Sequence, residues 1–163
     1  MIGEAKGGTV MGKVVWLEAW RLTRMERVRQ EALACFSWGK LSRLVEEVLE
    51  PTTRSLSPHK RFAVDEAVYR LAFESYVQGI EHSRRGAVEC PPDLPFSERR
   101  HWYNTRFREQ GDRLVGRIAD EMDLFFHVDE WTCQSVLLFF DEVATRWFLE
   151  GIDFGIQLRK RMQ

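Results

Sequence analysis

Carboxylates three residues apart on a helix lie on one face and can share a metal ion. This chain carries four such pairs: Glu47/Glu50, Glu109/Asp112, Asp120/Asp123 and Glu150/Asp153. Its 163 residues include 25 acids, and chance placement alone gives about four pairs, so the spacing does not mark a site. A di-iron bundle needs two Glu-x-x-His motifs and two further glutamates; only Glu98-x-x-His101 is present. The acidic group worth carrying forward is Glu81, His82, Glu150 and Asp153, which would serve a small metal-dependent helical enzyme if the fold gathered them in one pocket.

Other chemistries find less support. His59, His82 and His127 fall near expected helix ends and His101 in a first turn, where imidazoles cap helices or meet solvent. Ser75, Ser83 and Ser135 lack the Gly-x-Ser-x-Gly turn that exposes a nucleophile, and Cys133 lacks a family signature. Neither a Gly-x-x-x-x-Gly-Lys-Ser/Thr loop nor a Gly-x-Gly-x-x-Gly turn is present. No cofactor is therefore expected. Arg99, Arg100, Arg106, Arg108, Arg113 and Arg117, with Trp102 and Tyr103, make the best case for nucleic acid, since guanidinium groups bind phosphate and rings stack on bases. Glu98, Glu109, Asp112, Asp120 and Glu121 share the same segment, which reads as a salt-bridged, solvated face.

The most informative pattern is a doubled phrase, Tyr76-Val77-Gln78-Gly79-Ile80-Glu81 and Phe148-Leu149-Glu150-Gly151-Ile152-Asp153. Each copy sets an aromatic residue three positions before a glycine. A glycine within a helix costs about 1 kcal/mol relative to alanine, and so asks for a packing or functional reason. Residues 64–81 set against 136–153 give identity at Val64/Val136, Ala72/Ala144, Gly79/Gly151 and Ile80/Ile152. That pattern allows a weak internal helix-pair repeat. A glycine beside large rings lets one helix axis approach another while the rings fill the flanking space, so Tyr76, Gly79, Trp147, Phe148, Gly151 and Gly155 are expected at helix-packing or interface positions.

The elements that must hold these residues read as helices. Leu22, Met25, Val28, Ala32 and Phe36 form a stripe from Lys13 onward, although Val14-Val15-Trp16-Leu17 alone could be a strand. Leu41 to Leu49 predicts a short helix ended by Pro51, followed by a loop to Pro58. Ser57-Pro58 caps a helix ending near Arg84 or Arg85, with Gly86 as its stop. Prolines 91, 92 and 95 predict an extended crossing over 86–96. A third long helix opens at Ser97 and carries Tyr103, Phe107, Leu114, Ile118 and Met122; Asp129 caps a last helix over Glu130 to Arg161. The expected fold is all-α, a bundle of four long helices plus one short, in one domain over 13–163. Glycines 3, 7, 8 and 12 suggest a flexible tail over 1–12, with Met11 the more natural start.

At this length a single core buries roughly 70% of the unfolded chain's surface. A net charge of −1 creates no field to draw the chain onto nucleic acid or an anionic membrane. Three widely spaced cysteines, Cys35, Cys90 and Cys133, fit free thiols in a reducing cytoplasm better than a disulfide framework or zinc site. No apolar run approaches a membrane span and the N-terminus has no signal-peptide core, so the expected setting is cytoplasmic.

The stretch from Met11 through Leu44-Val45-Glu46-Glu47-Val48-Leu49-Glu50-Pro51, the segment Asp65 to Gly79, and Trp147-Phe148-x-x-Gly151-Ile152 with Leu158-Arg159-Lys160-Arg161-Met162 together resemble the YbaK-like family of small helical proteins from Bacillus and related spore-formers. That family is distinct from the tRNA-editing protein that shares the name. The chain departs from it in the proline-rich 87–95 stretch, where glycine and aromatics would be expected. The resemblance implies a cytoplasmic, all-helical protein and brings no catalytic residues. The functional expectation is a non-catalytic interaction or regulatory module that self-associates, a homodimer being the simplest case, with a protein partner of unknown identity. The alternatives are the acidic site above and nucleic-acid binding through the arginine-rich helix.

Overall fold

The computed structural model of the chain describes residues 2–161, with side chains described for 15–126 and 128–161. Regular structure is helical throughout, with no strand among the described residues. The chain divides into two compact units, Met1–Cys35 and Phe36–Gln163. The first is the helix α1, Ile2–Cys35. Val14 to Leu17 belong to it, so the strand suggested by that run is replaced by helix; good helix formers flank the β-branched pair and its propensity cost is small. The expected tail falls on Met1, which lies outside the described residues, and on residues whose side chains do; the α1 backbone begins at Ile2. Ala32 of the α1 stripe is buried while Leu22 and Met25 are exposed.

In the second unit α2 (Trp38–Leu44) runs through a π turn over Val45–Leu49 into α3 (Glu50–Thr53). Pro51 does not end this helix. A proline ring collides with the carbonyl four residues back, and the π turn just before it, in which the Glu50 N–H donates to the Val45 carbonyl, widens the helix where that collision would fall. The chain then continues one further turn to Thr53.

Ser57 caps α4 (Pro58–Glu81), its hydroxyl accepting from the Lys60 N–H at 3.4 Å. Helix direction changes at His82 (φ −98°, ψ 9°), and α5 (Ser83–Glu89) follows. Gly86, expected as a helix stop, lies inside α5 and has no positive φ; the Ile152 side chain occupies the space its Cβ would take. The link to the next helix is accordingly shorter than the prolines suggest, Cys90 to Pro95, and it is a turn rather than an extended run, closed by the Leu94 N–H donating to the Pro91 carbonyl at 3.2 Å.

The expected third long helix is two helices. α6 (Phe96–Arg106) and α7 (Arg108–Glu121) meet at Phe107, whose φ is −128°. The corner turns the Phe107 ring onto His82, Trp102 and Phe148, with centroids 4.7, 5.1 and 4.8 Å away. It also brings the Tyr103 hydroxyl into the place of a Gly111 side chain. Asp123 closes α7 in the left-handed region (φ 51°), which aspartate tolerates better than most residues. α8 (Leu124–His127) precedes α9 (Glu130–Arg161), and the Asp129 carboxylate caps α9 by accepting from the Thr132 N–H at 2.7 Å. Arg159, Lys160 and Arg161 complement the C-terminal end of its dipole.

α9 is the axis of this unit. It packs against α4 along much of its length and also meets α5, α6 and α7. Val64, Val68 and Leu71 of α4 and Phe140, Val143, Trp147 and Ile152 of α9 are fully buried.

Candidate functional site

The two halves of the doubled phrase meet. A Cβ on Gly79 would lie 3.0 Å from the Gly151 Cα and closer still to the Phe148 carbonyl oxygen; one on Gly151 would lie 3.1 Å from the Gly79 Cα and closer still to the Tyr76 carbonyl oxygen. The contact is reciprocal. Each glycine admits the carbonyl of the aromatic residue that stands three positions before the other. Backbone cannot move aside as a flexible side chain can, so no other residue fits either position without separating α4 from α9. Gly155 extends the crossing, its Cβ position being filled by the Ser83 side chain. The Ser83 hydroxyl donates to the Ile80 carbonyl at 2.6 Å and accepts from Arg159 Nη2 at 2.5 Å.

The rings fall into two groups. Phe36, Trp38, Phe73, Tyr76 and Trp147 form one, with Phe36 edge-on to Tyr76 at 5.3 Å and stacked on Trp147 at 6.3 Å. The other contains Phe148, with Tyr103 at 5.1 Å and Phe107 at 4.8 Å. Tyr76, Trp147 and Phe148 are all buried. They are core, and none of the three presents a ring to a partner.

The acidic group is dispersed. Glu150 receives the Lys40 ammonium and the Ser37 hydroxyl, the latter at 3.2 Å. Asp153 receives both terminal nitrogens of Arg99, at 3.0 and 2.5 Å. His82 packs against Phe107 and Phe148, and Glu81 lies exposed at the end of α4. Among the described residues no three His, Cys, Asp or Glu side chains gather to hold a metal ion. The convergence on which the acidic-site reading depends is absent because successive helical positions point these groups toward different cations and rings.

The electrostatics are those of structural ion pairing. Burial opposes the Arg99 charge, but hydrogen bonds to Asp153 and the Cys90 side chain, with the Asp153 charge, outweigh it and hold the guanidinium above its usual value. Burial raises the Cys90 thiol despite the neighbouring arginine, which keeps it protonated and unreactive. Burial and then Arg85 lower His82. Burial and Arg146 lower Lys40 in spite of its carboxylate partner.

Apart from Arg113, the arginines of the third expected helix are likewise paired with acids. Arg100 pairs with Glu142 at 2.5 Å, Arg106 with Glu89 at 3.3 Å, Arg108 with Asp141 at 3.4 Å and Arg117 with Glu121 at 3.9 Å. Tyr103 is buried and Trp102 packs on Phe107 and Phe148, so the rings expected to stack on bases face inward.

Two features escaped sequence reasoning. One is the half-buried Arg99–Asp153 pair, whose partners are far apart in sequence. The other is a groove of about 570 Å³ between α7 and α9, lined by Arg108, Asp112, Val115 and Gly116 on one wall and Gln134, Leu137, Leu138 and Asp141 on the other. Leu138 is 73% exposed beside it, Trp131 two turns earlier on α9 is 83% exposed, and Phe126 on α8 is 88% exposed. The signal available in the sequence was the seven-residue interval between Trp131 and Leu138, which keeps both on one face of α9.

No protein-family model, curated protein or solved structure matches the chain.

Proposed function

We propose that this chain is a non-catalytic helical interaction module that self-associates. One observation carries the reading: Glu150, Asp153, His82 and most of the arginines are engaged in ion pairs and core packing, while large apolar side chains remain on the surface. Trp131, Leu138 and Phe126 are exposed on α8 and α9, and Trp16, Leu17 and Trp20 on α1. Aromatic residues are the favoured anchors of protein interfaces, and single exposed apolar residues are ordinary where clusters are not.

Other parts of the reading rest on lesser supports. The reciprocal contact of Gly79 and Gly151 favours α4 and α9 as products of a duplicated helix pair. A cytoplasmic setting agrees with three free cysteines, Cys35 exposed, Cys90 buried and Cys133 half-buried, and among the described residues no helix is long and apolar enough to cross a membrane. Kinship with the YbaK-like family remains a proposal on its packing motifs. Light scattering after size-exclusion chromatography, across micromolar concentrations, tests self-association: a dimer or larger species is expected, and a strict monomer throughout overturns it.

A further inference from the structure

The residues expected at helix-packing or interface positions are buried in packing between helices of the second unit, so self-association requires a different surface. We propose that the groove between α7 and α9 seats a second copy of this chain, related to the first by a two-fold axis beside Gly116. The inference rests on the self-association reading and identifies its face.

Three observations favour this occupant. First, the exposed face of α7 is self-complementary in charge. Arg113 and Asp120 are seven residues apart, hence on one side of the helix, with Gly116 between them; both are exposed and neither forms an ion pair among the described residues. Two α7 helices crossing antiparallel near Gly116 bring Arg113 of each copy against Asp120 of the other. An isologous interface demands this relation, in which residue i meets j and j meets i.

Second, the crossing point is open. Nothing lies within 4 Å of the position a Gly116 side chain would occupy, unlike the glycines of the core, so a helix from outside can approach closely. Third, the area suffices. Leu138 lines the groove and Trp131 shares its face of α9, while the half-exposed Phe125 lines a small adjoining cavity that shares Leu137, with Phe126 next to it on α8; together they offer roughly 600 Å² of apolar surface per copy, at 150–250 Å² for each fully exposed ring. With the groove walls added, this approaches the ~800 Å² per partner of a stable interface. The mixed signs along the rim, and a net charge of −1, leave no long-range repulsion between copies; a nucleic acid or anionic membrane would instead select a one-signed surface.

Charge reversal tests the arrangement. Sedimentation equilibrium on the full chain should show a dimer whose dissociation constant rises about tenfold or more in Arg113→Asp or Asp120→Arg, each of which sets like charges against each other. The double variant Arg113→Asp/Asp120→Arg should recover most of the affinity, because the pairs re-form with signs exchanged. Leu138→Asp should dissociate the dimer while helicity, and the thermal midpoint at dilutions where the wild type is also monomeric, stay unchanged, as befits an exposed position. A double variant no tighter than its parents overturns the proposed pairing. A dimer indifferent to Leu138→Asp but lost in Trp16→Ser/Trp20→Ser overturns this face and leaves self-association standing on α1. A wild-type monomer at every concentration overturns both.

Discussion

Gly151 and Gly39 are both helical glycines, yet replacing them should have opposite effects. A methyl group on Gly151 meets the Tyr76 carbonyl of a fully packed helix, so Gly151→Ala should cost about 3 kcal/mol, at the upper end of overpacking penalties. Gly39 has nothing within 4 Å of its missing Cβ, and Gly39→Ala should gain up to about 1 kcal/mol through helix propensity. Urea denaturation of the two variants separates these outcomes, and equal midpoints would remove the close crossing as the reason for Gly151. His82 makes a second prediction at this scale. Burial and Arg85 depress its folded value, so the unfolded chain takes up the proton first, near its ordinary value of about 6.5. His82 therefore contributes stability that is present above that value and lost as pH falls through it toward the depressed folded value. Urea midpoints of the wild type should decline between pH 7 and 5 more steeply than those of His82→Leu; parallel curves would show that His82 is not desolvated in the fold.

At the level of elements, the corner between α6 and α7 has a specific steric origin. Tyr103, Phe107 and Gly111 would share one face of a continuous helix, and that face is the one sequence periodicity detects. In the bent form Phe107 reaches Phe148 and the Tyr103 hydroxyl lies where a Gly111 side chain would be. Gly111→Ala should therefore destabilise the protein. Tyr103→Phe removes the colliding oxygen, so the double variant should lose less than the sum of the two single losses. Additive losses in thermal unfolding would mean that the corner depends on something other than this contact. The bend at His82 and the π turn before Pro51 belong to the same class. In each, side-chain packing or a proline ring sets the backbone path while the apolar spacing continues undisturbed.

For the whole molecule, the division at Cys35/Phe36 places the large core in the second unit. Phe36 packs there against Trp38, Phe73, Tyr76 and Trp147, and the reciprocal α4–α9 crossing lies wholly within it. A chain beginning at Phe36 should unfold in one cooperative transition by circular dichroism. A broad, non-cooperative loss of ellipticity would show that α1 is required for the core. Should self-association use the α7–α9 groove, this shortened chain would also retain the dimer, which connects the behaviour of the whole to the face inferred above.

What the residues determined alone was local. Apolar spacing of three and four, the Ser57-Pro58 and Asp129 caps and the terminal Arg-Lys-Arg were enough to announce helices and to bound α9, because caps and periodicity act within a few residues. The doubled phrase even indicated that two glycines need close neighbours. It did not say that each is the other's neighbour, since that depends on how two helices far apart in sequence cross. Tertiary packing also decided the breaks at His82 and Phe107, the passage through Pro51, and the pairing of Asp153 with Arg99 and Glu150 with Lys40. Those pairings turned a candidate acidic site into separate ion pairs. Periodicity reports which face of a helix is apolar, whereas only the fold determines what that face meets and which apolar residues, Trp131 and Leu138 among them, are left uncovered.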